Sequence, residues 1–305
     1  MFIRILGSAA GGGFPQWNCN CPMCTGVRTG SINARVRTQS SIAVSHDRCD
    51  WVLFNASPDI LTQIQQCGVL QPARQLRDTG IQSIVLMDAQ IDHTTGLLML
   101  REHRQALSIW CTAAVREDLS EGNPLFRVLD HYSGIDWHEL TTDGNVCQIP
   151  GAASVTFTAL SLTSNAPPYS PHRDKPVDGD TIGMMMSDTV SGRSVFYAPG
   201  LGEMETHVWE AMQSADVVLI DGTMWTDDEM IQRGASNKTA RSMGHLPQSG
   251  SGGMLEWLDK LPESTRKILI HINNTNPILD EDSEERSILD DHGVEVAHDG
   301  LELEI

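Results

Sequence analysis

The chain has 305 residues, and 40 Asp and Glu against 21 Lys and Arg give it a formal net charge of −19. This charge excludes an extended nucleic-acid surface, because phosphate binding depends on clustered cations, and it disfavours anionic membranes. A chain of this length can bury one large core or two smaller ones.

Strands and helices are predicted to alternate along the whole chain, with no repeat period and no linker between them. Segments 165–180 and 226–252 are polar and predicted to be mainly loop. This pattern favours one α/β domain with two sheets inside outer helices. The predicted strands are 2–6, 41–45, 51–55, 83–87, 107–111, 155–162, 182–186, 194–197, 216–220, 267–270 and 294–297. The predicted helices are 60–66, 97–105, 205–213, 254–258 and 283–290.

The seven cysteines are an odd number, and Cys19, Cys21 and Cys24 lie within six residues. In a chain of this length the cluster predicts a thiolate metal site among reduced thiols, not a disulfide framework. Three thiolates in one turn are typical of a structural zinc site, although free loop cysteines are the alternative and the spacing shows no fourth ligand. No segment resembles a signal peptide or a membrane span, so we expect a cytoplasmic protein without a membrane partner.

The first predicted strand leads into a glycine-rich loop, residues 7–13, in which the backbone can approach other groups closely. The loop lacks the Gly-Lys-Ser/Thr ending of a phosphate-binding loop. Polar residues also follow later buried strands, at Asp59, at 88–93, at Asp221 and at His271. Sites gather at such strand ends because the strands hold the side chains rigidly. The adjacent Asp92 and His93 are therefore candidate metal ligands; the alternative is a helix cap and a hydrogen-bonded polar histidine.

The glycine loop, the cysteine cluster and the strand ends at Asp92, His93 and His271 together resemble the metallo-β-lactamase superfamily. They are more similar to its phosphodiesterase and ribonuclease Z-like branch. They are most similar to its family of pyrroloquinoline quinone (PQQ) biosynthesis proteins, over nearly the full chain. The resemblance implies an α/β fold, the αββα sandwich of two mixed sheets between outer helices, as a single domain over residues 1–305. It also implies a role in making PQQ from a peptide whose Glu and Tyr side chains become crosslinked.

The chain departs from the hydrolases of this superfamily at the first of their two metal positions. The hydrolase motif His-x-His-x-Asp-His has Asp88 and Gln90 in place of its first two histidines. The later histidine falls near Ser164, and the bridging aspartate falls at Pro199. The resemblance therefore implies that the imidazoles and the bridging carboxylate of the first metal have been lost.

The second metal position keeps Asp92, His93 and His271. Two imidazoles and one carboxylate form the ligand set of non-haem Fe(II) oxygenases, which leaves positions open for O₂ and substrate. The same set can hold catalytic Zn²⁺. A two-metal hydrolase clamps both the attacking and the leaving oxygen, and one position alone lacks that clamp. We therefore favour an iron-dependent hydroxylation of the tyrosine-derived ring of the PQQ precursor, with O₂ as oxidant.

Four neighbouring positions are weaker candidates. His245 is either an acid or base near the metal or a loop histidine, and Asp221 either orients a ligating histidine or is a turn carboxylate. Asp88 and Gln90 are candidates to bind polar groups of the substrate. Asn274 falls where relatives place the fourth ligand of the structural zinc, usually His, and an amide oxygen is a poor zinc ligand.

Two other functions compete with the oxygenase. One is a metal-dependent hydrolase. The other is a carrier or accessory protein for transport of PQQ or its precursor to the periplasm, which does not need intact metal ligands. The resemblance also implies other PQQ biosynthesis proteins as partners, and a homodimer is compatible with it.

Overall fold

Fourteen strands form two seven-stranded sheets in the computed structural model, which describes residues 1–305. The first sheet has the order β14-β1-β2-β3-β4-β5-β6, and the second has the order β13-β12-β11-β10-β9-β8-β7. The strands of the first sheet are β1 (Phe2–Gly7), β2 (Ser41–Ser45), β3 (Trp51–Phe54), β4 (Ile81–Val85), β5 (Leu107–Cys111), β6 (Ile135–Glu139) and β14 (Glu302–Glu304). Those of the second are β7 (Val146–Gln148), β8 (Val155–Ser161), β9 (Ile182–Asp188), β10 (Ser194–Ala198), β11 (Val217–Asp221), β12 (Arg266–Ile270) and β13 (Val294–Val296).

Nine α-helices accompany the sheets, and most of them are short. A π-helical turn (Asp118–Gly122) follows the fourth helix, and 3₁₀ turns cover Gly68–Leu70, Thr95–Leu100, Arg241–Met243 and Pro277–Leu279. The α-helices are α1 (Pro22–Thr29), α2 (Ile60–Gln66), α3 (Ile91–Thr94), α4 (Ala113–Glu117), α5 (Leu125–Leu129), α6 (Thr206–Ser214), α7 (Glu229–Gln232), α8 (Met254–Leu258) and α9 (Glu284–Asp291).

Three apolar layers make this an αββα sandwich. The middle layer lies between the sheets and joins Phe54 of the first sheet to Tyr197 of the second, whose rings meet edge to face at 5.9 Å. An outer layer packs α2, α4 and α5 on the first sheet, and another packs α6, α8 and α9 on the second. The α/β architecture predicted from the sequence is confirmed. No helix has the length and apolar character needed to cross a membrane.

Several predicted boundaries differ from the structure. The helix predicted at 97–105 is wrong: its first residues belong to a 3₁₀ turn that ends at Leu100, and a turn and bends follow. The strand predicted at 83–87 begins and ends two residues earlier. Strands β6, β7 and β14 were not predicted, because β7 and β14 have only three residues each and all three strands have two exposed residues.

The parallel strands of both sheets end at one edge of the sandwich. In the first sheet β3, β4, β5 and β6 are parallel, and in the second β10, β11, β12 and β13 are parallel. Ala9 pairs with Ile272, which joins the loop after β1 to the loop after β12. Asp88 pairs with Thr181 and joins the sheets a second time. Ligands of α/β proteins bind at the carboxyl ends of such strands, and the candidate residues lie there.

Candidate metal centre

His93 lies in the single turn of α3, a few residues beyond the end of β4. It is buried, and its Nδ1 lies 2.8 and 2.9 Å from the two carboxylate oxygens of Asp88. Because a carboxylate only accepts, Nδ1–H is the donor, and Nε2 is the nitrogen left for a metal. Nε2 is buried without a hydrogen-bond partner. An unpartnered buried nitrogen is costly unless a ligand fills its coordination direction.

His271 follows β12 and is oriented by Thr223 after β11. Its Nδ1–H donates to Thr223 Oγ1 at 2.9 Å, and the Thr223 hydroxyl donates to Asp221 Oδ1. His271 has φ of +61°, which is uncommon for a residue with a side chain, and such strained positions cluster at functional sites. The other ring nitrogen of His271, Nε2, contacts Asp92 Oδ2.

The Nε2 atoms of both histidines face the carboxylate of Asp92. His271 Nε2 lies 3.3 Å and His93 Nε2 3.8 Å from Asp92 Oδ2. A side chain at Gly11 would place its Cβ only 3.2 Å from the same oxygen, so the glycine loop packs closely against it. The ligand atoms of Asp92, His93 and His271 all lie within 4.8 Å of one another. The structure therefore brings together the three residues that the sequence predicts as metal ligands.

The protonation states of Asp92 and His93 depend strongly on the charges of neighbouring side chains. Burial lowers the pKa of His93, but the carboxylates of Asp88 and Asp92 outweigh it and raise the pKa to about 9. Burial raises the pKa of the Asp92 carboxyl, but the charges of His93 and His271 hold it well below its usual range. Opposite charges at this spacing stabilise each other in a buried site. A metal cation between the side chains would stabilise the Asp92 carboxylate in the same way.

His245 and Asp221 lie beside this cluster. His245 Nδ1–H donates to Asp221 Oδ2 at 2.7 Å, and the ring stacks on His271 at 5.5 Å. Burial lowers the pKa of His245, but the Asp221 carboxylate outweighs it and raises the pKa. Asp221, His245 and His271 also form a group with metal-ligand spacing. However, the carboxylate of Asp221 also accepts from the backbone N–H groups of Leu201 and Thr223, which is typical of an orienting residue.

The structure gives Asp88 and Gln90 protein partners. Asp88 accepts from His93 and from the backbone N–H of Gln90, and the Gln90 side chain donates to Asn165 O at 2.9 Å. Asp88 therefore orients a candidate ligand, as carboxylates beside metal-bound histidines do. Binding of substrate by these two side chains stays a prediction that would require their present contacts to break.

The cysteine cluster forms a second group with metal-ligand spacing. The thiols of Cys19, Cys21 and Cys24 lie within 4.8 Å of one another, and Cys21 and Cys24 are buried. Asn274 approaches the cluster: its Nδ2 lies 3.3 Å from Cys24 Sγ, and its backbone oxygen lies 3.4 Å from Cys21 Sγ. Asn274 thus stands at the position that the sequence predicts. Binding of zinc by these four residues remains a prediction.

Comparison with known proteins places the chain in a family. The model of the β-lactamase superfamily domain matches residues 50–272. "Coenzyme PQQ synthesis protein B" of Azoarcus sp. (strain BH72) is 70% identical over 305 residues, 100% of both chains. The protein of the same name in Cupriavidus necator is 60% identical over 301 residues, 99% of this chain and 98% of that one. The chain belongs to the coenzyme PQQ synthesis protein B family.

Solved structures agree with this family assignment. A crystal structure of Zn²⁺-bound PqqB from Methylobacterium extorquens has a TM-score of 0.90 and 36% identity, covering 100% of both chains. A diphosphatase of the PhnP family has a TM-score of 0.69 at 17% identity, covering 100% of this chain and 96% of that one, and shares the fold alone. The superfamily resemblance and the αββα fold expected from the sequence are both confirmed.

Some residues that build the site were not predicted from the sequence. Thr223 holds both His271 and Asp221, and Tyr169 donates its hydroxyl to Ala89 O beside Asp88. The loop that carries Tyr169 was recognised, but its position over the site was not. The only local signal for Thr223 is its place two residues after Asp221 at a strand end. Its partner His271 is 48 residues away, beyond any local pattern.

Proposed function

We propose that Asp92, His93 and His271 hold one Fe(II) ion, and that the protein uses O₂ to hydroxylate a tyrosine-derived precursor of PQQ. The observation that carries this proposal is the convergence of two imidazole Nε2 atoms on one carboxylate oxygen, at 3.3 and 3.8 Å. The names of relatives that are 70% and 60% identical over nearly the full chain support the role in PQQ synthesis.

The residues present fit a single metal ion. Donor atoms that bind one ion at about 2.1 Å lie roughly 3 Å apart, and the present spacing needs only a small contraction. The unpartnered Nε2 of His93 would gain its missing partner. The donor set of two imidazoles and one carboxylate is that of non-haem iron sites, and iron bound there would supply the activation of O₂. The Zn²⁺-bound relative supports metal binding and keeps zinc as an alternative occupant.

Residues around the three ligands have separate tasks. Asp88 and Thr223 fix the imidazoles of His93 and His271 so that each offers Nε2. Asp221 holds Nδ1–H of His245, which leaves His245 Nε2 free to hold or move a proton during reaction of a phenol. The buried Asp221 carboxylate stabilises the protonated form of His245, so a proton taken up there is retained. Cys19, Cys21, Cys24 and Asn274 would hold a structural zinc at the edge of the pocket.

The decisive experiment is metal analysis of protein purified without oxygen, followed by O₂ consumption with tyrosine-containing PQQ precursors. We expect iron at the Asp92 site, O₂ uptake matched to hydroxylated product, and loss of both in His271→Ala. A His271→Ala variant that still supports PQQ formation in cells would contradict the oxygenase and favour the carrier function. Two metals at the His271 edge together with cleavage of a model diester would favour the hydrolase.

A further inference from the structure

Residues 163–181 form a strap that contacts the segments on both sides of the metal centre. On one side Gln90 Nε2 donates to Asn165 O at 2.9 Å, and the Tyr169 hydroxyl donates to Ala89 O. On the other side Ser164 Oγ donates to Gly244 O at 3.0 Å, next to His245. The strap therefore forms a wall of the space in front of the candidate ligands.

The far part of the strap is fastened by a histidine with two carboxylate partners. His172 Nδ1 lies 3.1 Å from Asp180 Oδ1, and His172 Nε2 lies 3.1 Å from Glu117 Oε2. Asp180 lies near the end of the strap, whereas Glu117 ends α4 on the body of the first sheet. A neutral imidazole has only one N–H. Two carboxylate acceptors therefore require the doubly protonated, positively charged ring.

A third carboxylate, that of Asp118, lies near His172. Asp118, at the start of the π-helical turn, is fully buried, and neither of its carboxylate oxygens accepts a hydrogen bond. Burial raises the pKa of Asp118, which the nearby Ser170 and His172 partly counter. Glu117 and Asp180 form ion pairs only with His172. Three acidic side chains therefore lie near one cationic ring, which pairs directly with Glu117 and Asp180.

The strap also needs a close approach to this turn. A Cβ at Gly122 would collide with the backbone oxygen of Tyr169, so this glycine allows the strap to lie flat on the turn. On the strap itself, Arg173 donates to Ala166 O and stays within its own segment. The fastening to α4 and the turn thus depends on shape at Gly122 and on charge at His172.

We propose that His172 is a positioning residue: its imidazolium latches the strap onto α4 and so sets the wall of the substrate pocket. When the ring loses its proton, Glu117, Asp118 and Asp180 are left without a cation, and the strap loosens. The location of the pocket depends on the function proposed above, whereas the latch itself does not. Regulation of entry by pH follows from the latch.

The direction of the pH effect follows from the environment of the ring. Burial lowers the pKa of His172, but the hydrogen bonds that the ring donates to the carboxylates of Asp180 and Glu117 outweigh it and raise the pKa above its usual value near 6.5. A raised histidine pKa gives stabilisation that is fully present below the unfolded value and is lost as the pH rises through the folded value. The strap is therefore latched in mild acid and released in alkali.

Hydrogen exchange of the full-length, metal-loaded protein tests the latch directly. We expect protection factors of residues 165–181, corrected for intrinsic rates, to fall about fivefold between pH 6 and pH 9. His172→Gln should give, at every pH, the low protection factors that the unmodified protein shows at pH 9. His292→Gln is the matched control, because His292 also bonds a carboxylate, Asp259 at 2.6 Å, on the outer surface of the second sheet. It should behave like the unmodified protein.

Two results would overturn the proposal. One is strap protection that does not change with pH in the unmodified protein; the other is His172→Gln with unmodified protection at pH 6. If the Gln variant fails to fold, Glu117→Gln removes one acceptor and should weaken protection at pH 6. Affinity for a tyrosine-containing precursor, measured in parallel, should fall with strap protection while the stoichiometry of bound metal stays constant. If strap protection changes with pH as expected but no precursor binds, the latch is supported and the proposed substrate is contradicted.

Discussion

The two candidate metal positions share one short segment of chain but differ in their donor atoms. His271 and Asn274, both just after β12, each approach one of them. Burial does not distinguish them, because each has two buried residues and one half-buried residue, Asp92 in the first and Cys19 in the second. Mixed nitrogen and oxygen donors are typical of catalytic metals, and sets of thiolates are typical of structural metals. One rigid segment can thus serve a reactive and a structural site.

The largest expected effect separates the two sites by metal content. Asp92→Ala removes the carboxylate that both imidazoles face, so the metal of this site and all oxygenase activity should be lost. Metal per chain should fall from about two equivalents to about one, because the thiolates are untouched. Mass spectrometry of the native protein and O₂ uptake measure both outcomes.

Asp143→Ala is the control for this change, since Asp143 is an exposed turn carboxylate bonded to Thr141 and Asn145. It should keep both metals and full activity. Retention of the active-site metal in Asp92→Ala would show that this carboxylate is no ligand.

The second expected effect concerns the thiol site. Cys24→Ser replaces a buried thiolate by a hydroxyl, a much weaker zinc ligand, so the structural metal should be lost. The melting temperature should fall by roughly 10 °C, because a structural zinc stabilises the folded chain directly. Iron at the Asp92 site should remain when folding is preserved. Differential scanning calorimetry with metal analysis measures this.

Cys49→Ser is the matched control, because Cys49 is exposed and lies outside the cluster. Its melting temperature should equal that of the unmodified protein. Equal melting of Cys24→Ser with and without a zinc chelator, at the unmodified temperature, would contradict a structural role.

The third effect is smaller because it acts through a ligand rather than on it. Asp88→Asn keeps the shape of the side chain but weakens its bonds to His93 Nδ1, so the imidazole loses orientation and basicity. We expect metal affinity to fall about 10- to 100-fold, with stoichiometry recovered at high metal concentration. Competition with a chelator measures the affinity. An unchanged affinity would mean that His93 is held by its burial alone.

The sequence predicts the parts of the site that local patterns encode. Asp92 and His93 are adjacent and follow a buried strand, and His271 ends another, so strand prediction places all three at one edge. The fold follows from the same alternation of apolar strands with helices. Strand β14 was missed because three residues give too little pattern, although pairing with β1 fixes it in the sheet.

Contacts between distant segments could not be predicted in this way. The Tyr169 hydroxyl meets Ala89 O from 80 positions away, and His172 meets Glu117 from 55. Neither segment has a regular period, and a polar loop is free to cross any face of the molecule. The sequence predicts Asp88 as a residue beside the metal ligands or a substrate contact, whereas its bond to His93 Nδ1 depends on how α3 turns back onto the end of β4.

Glu229 contacts the segment after β12 that approaches both candidate metal positions, and its expected effect is on stability alone. This buried carboxylate, at the start of α7, accepts from the Thr275 hydroxyl and from the Trp225 N–H at 2.7 Å. Thr275 directly follows Asn274. Burial raises the pKa of Glu229 to about 7. The folded protein therefore holds this proton more tightly than the unfolded chain does.

The sign of the pH effect follows from that difference. Below about pH 4.5 both states are protonated; between 4.5 and 7 the unfolded chain loses the proton first, so stability falls as the pH rises. We expect a loss of roughly 3 kcal/mol over this window, which is absent in Glu229→Gln. Urea unfolding at pH 4.5 and pH 8 measures it, and Glu263→Gln, at an exposed position, should retain the loss. An equal pH dependence in Glu229→Gln would mean that Glu229 is ionised in the folded protein, with its charge held by Thr275 and Trp225 beside the segment that serves both sites.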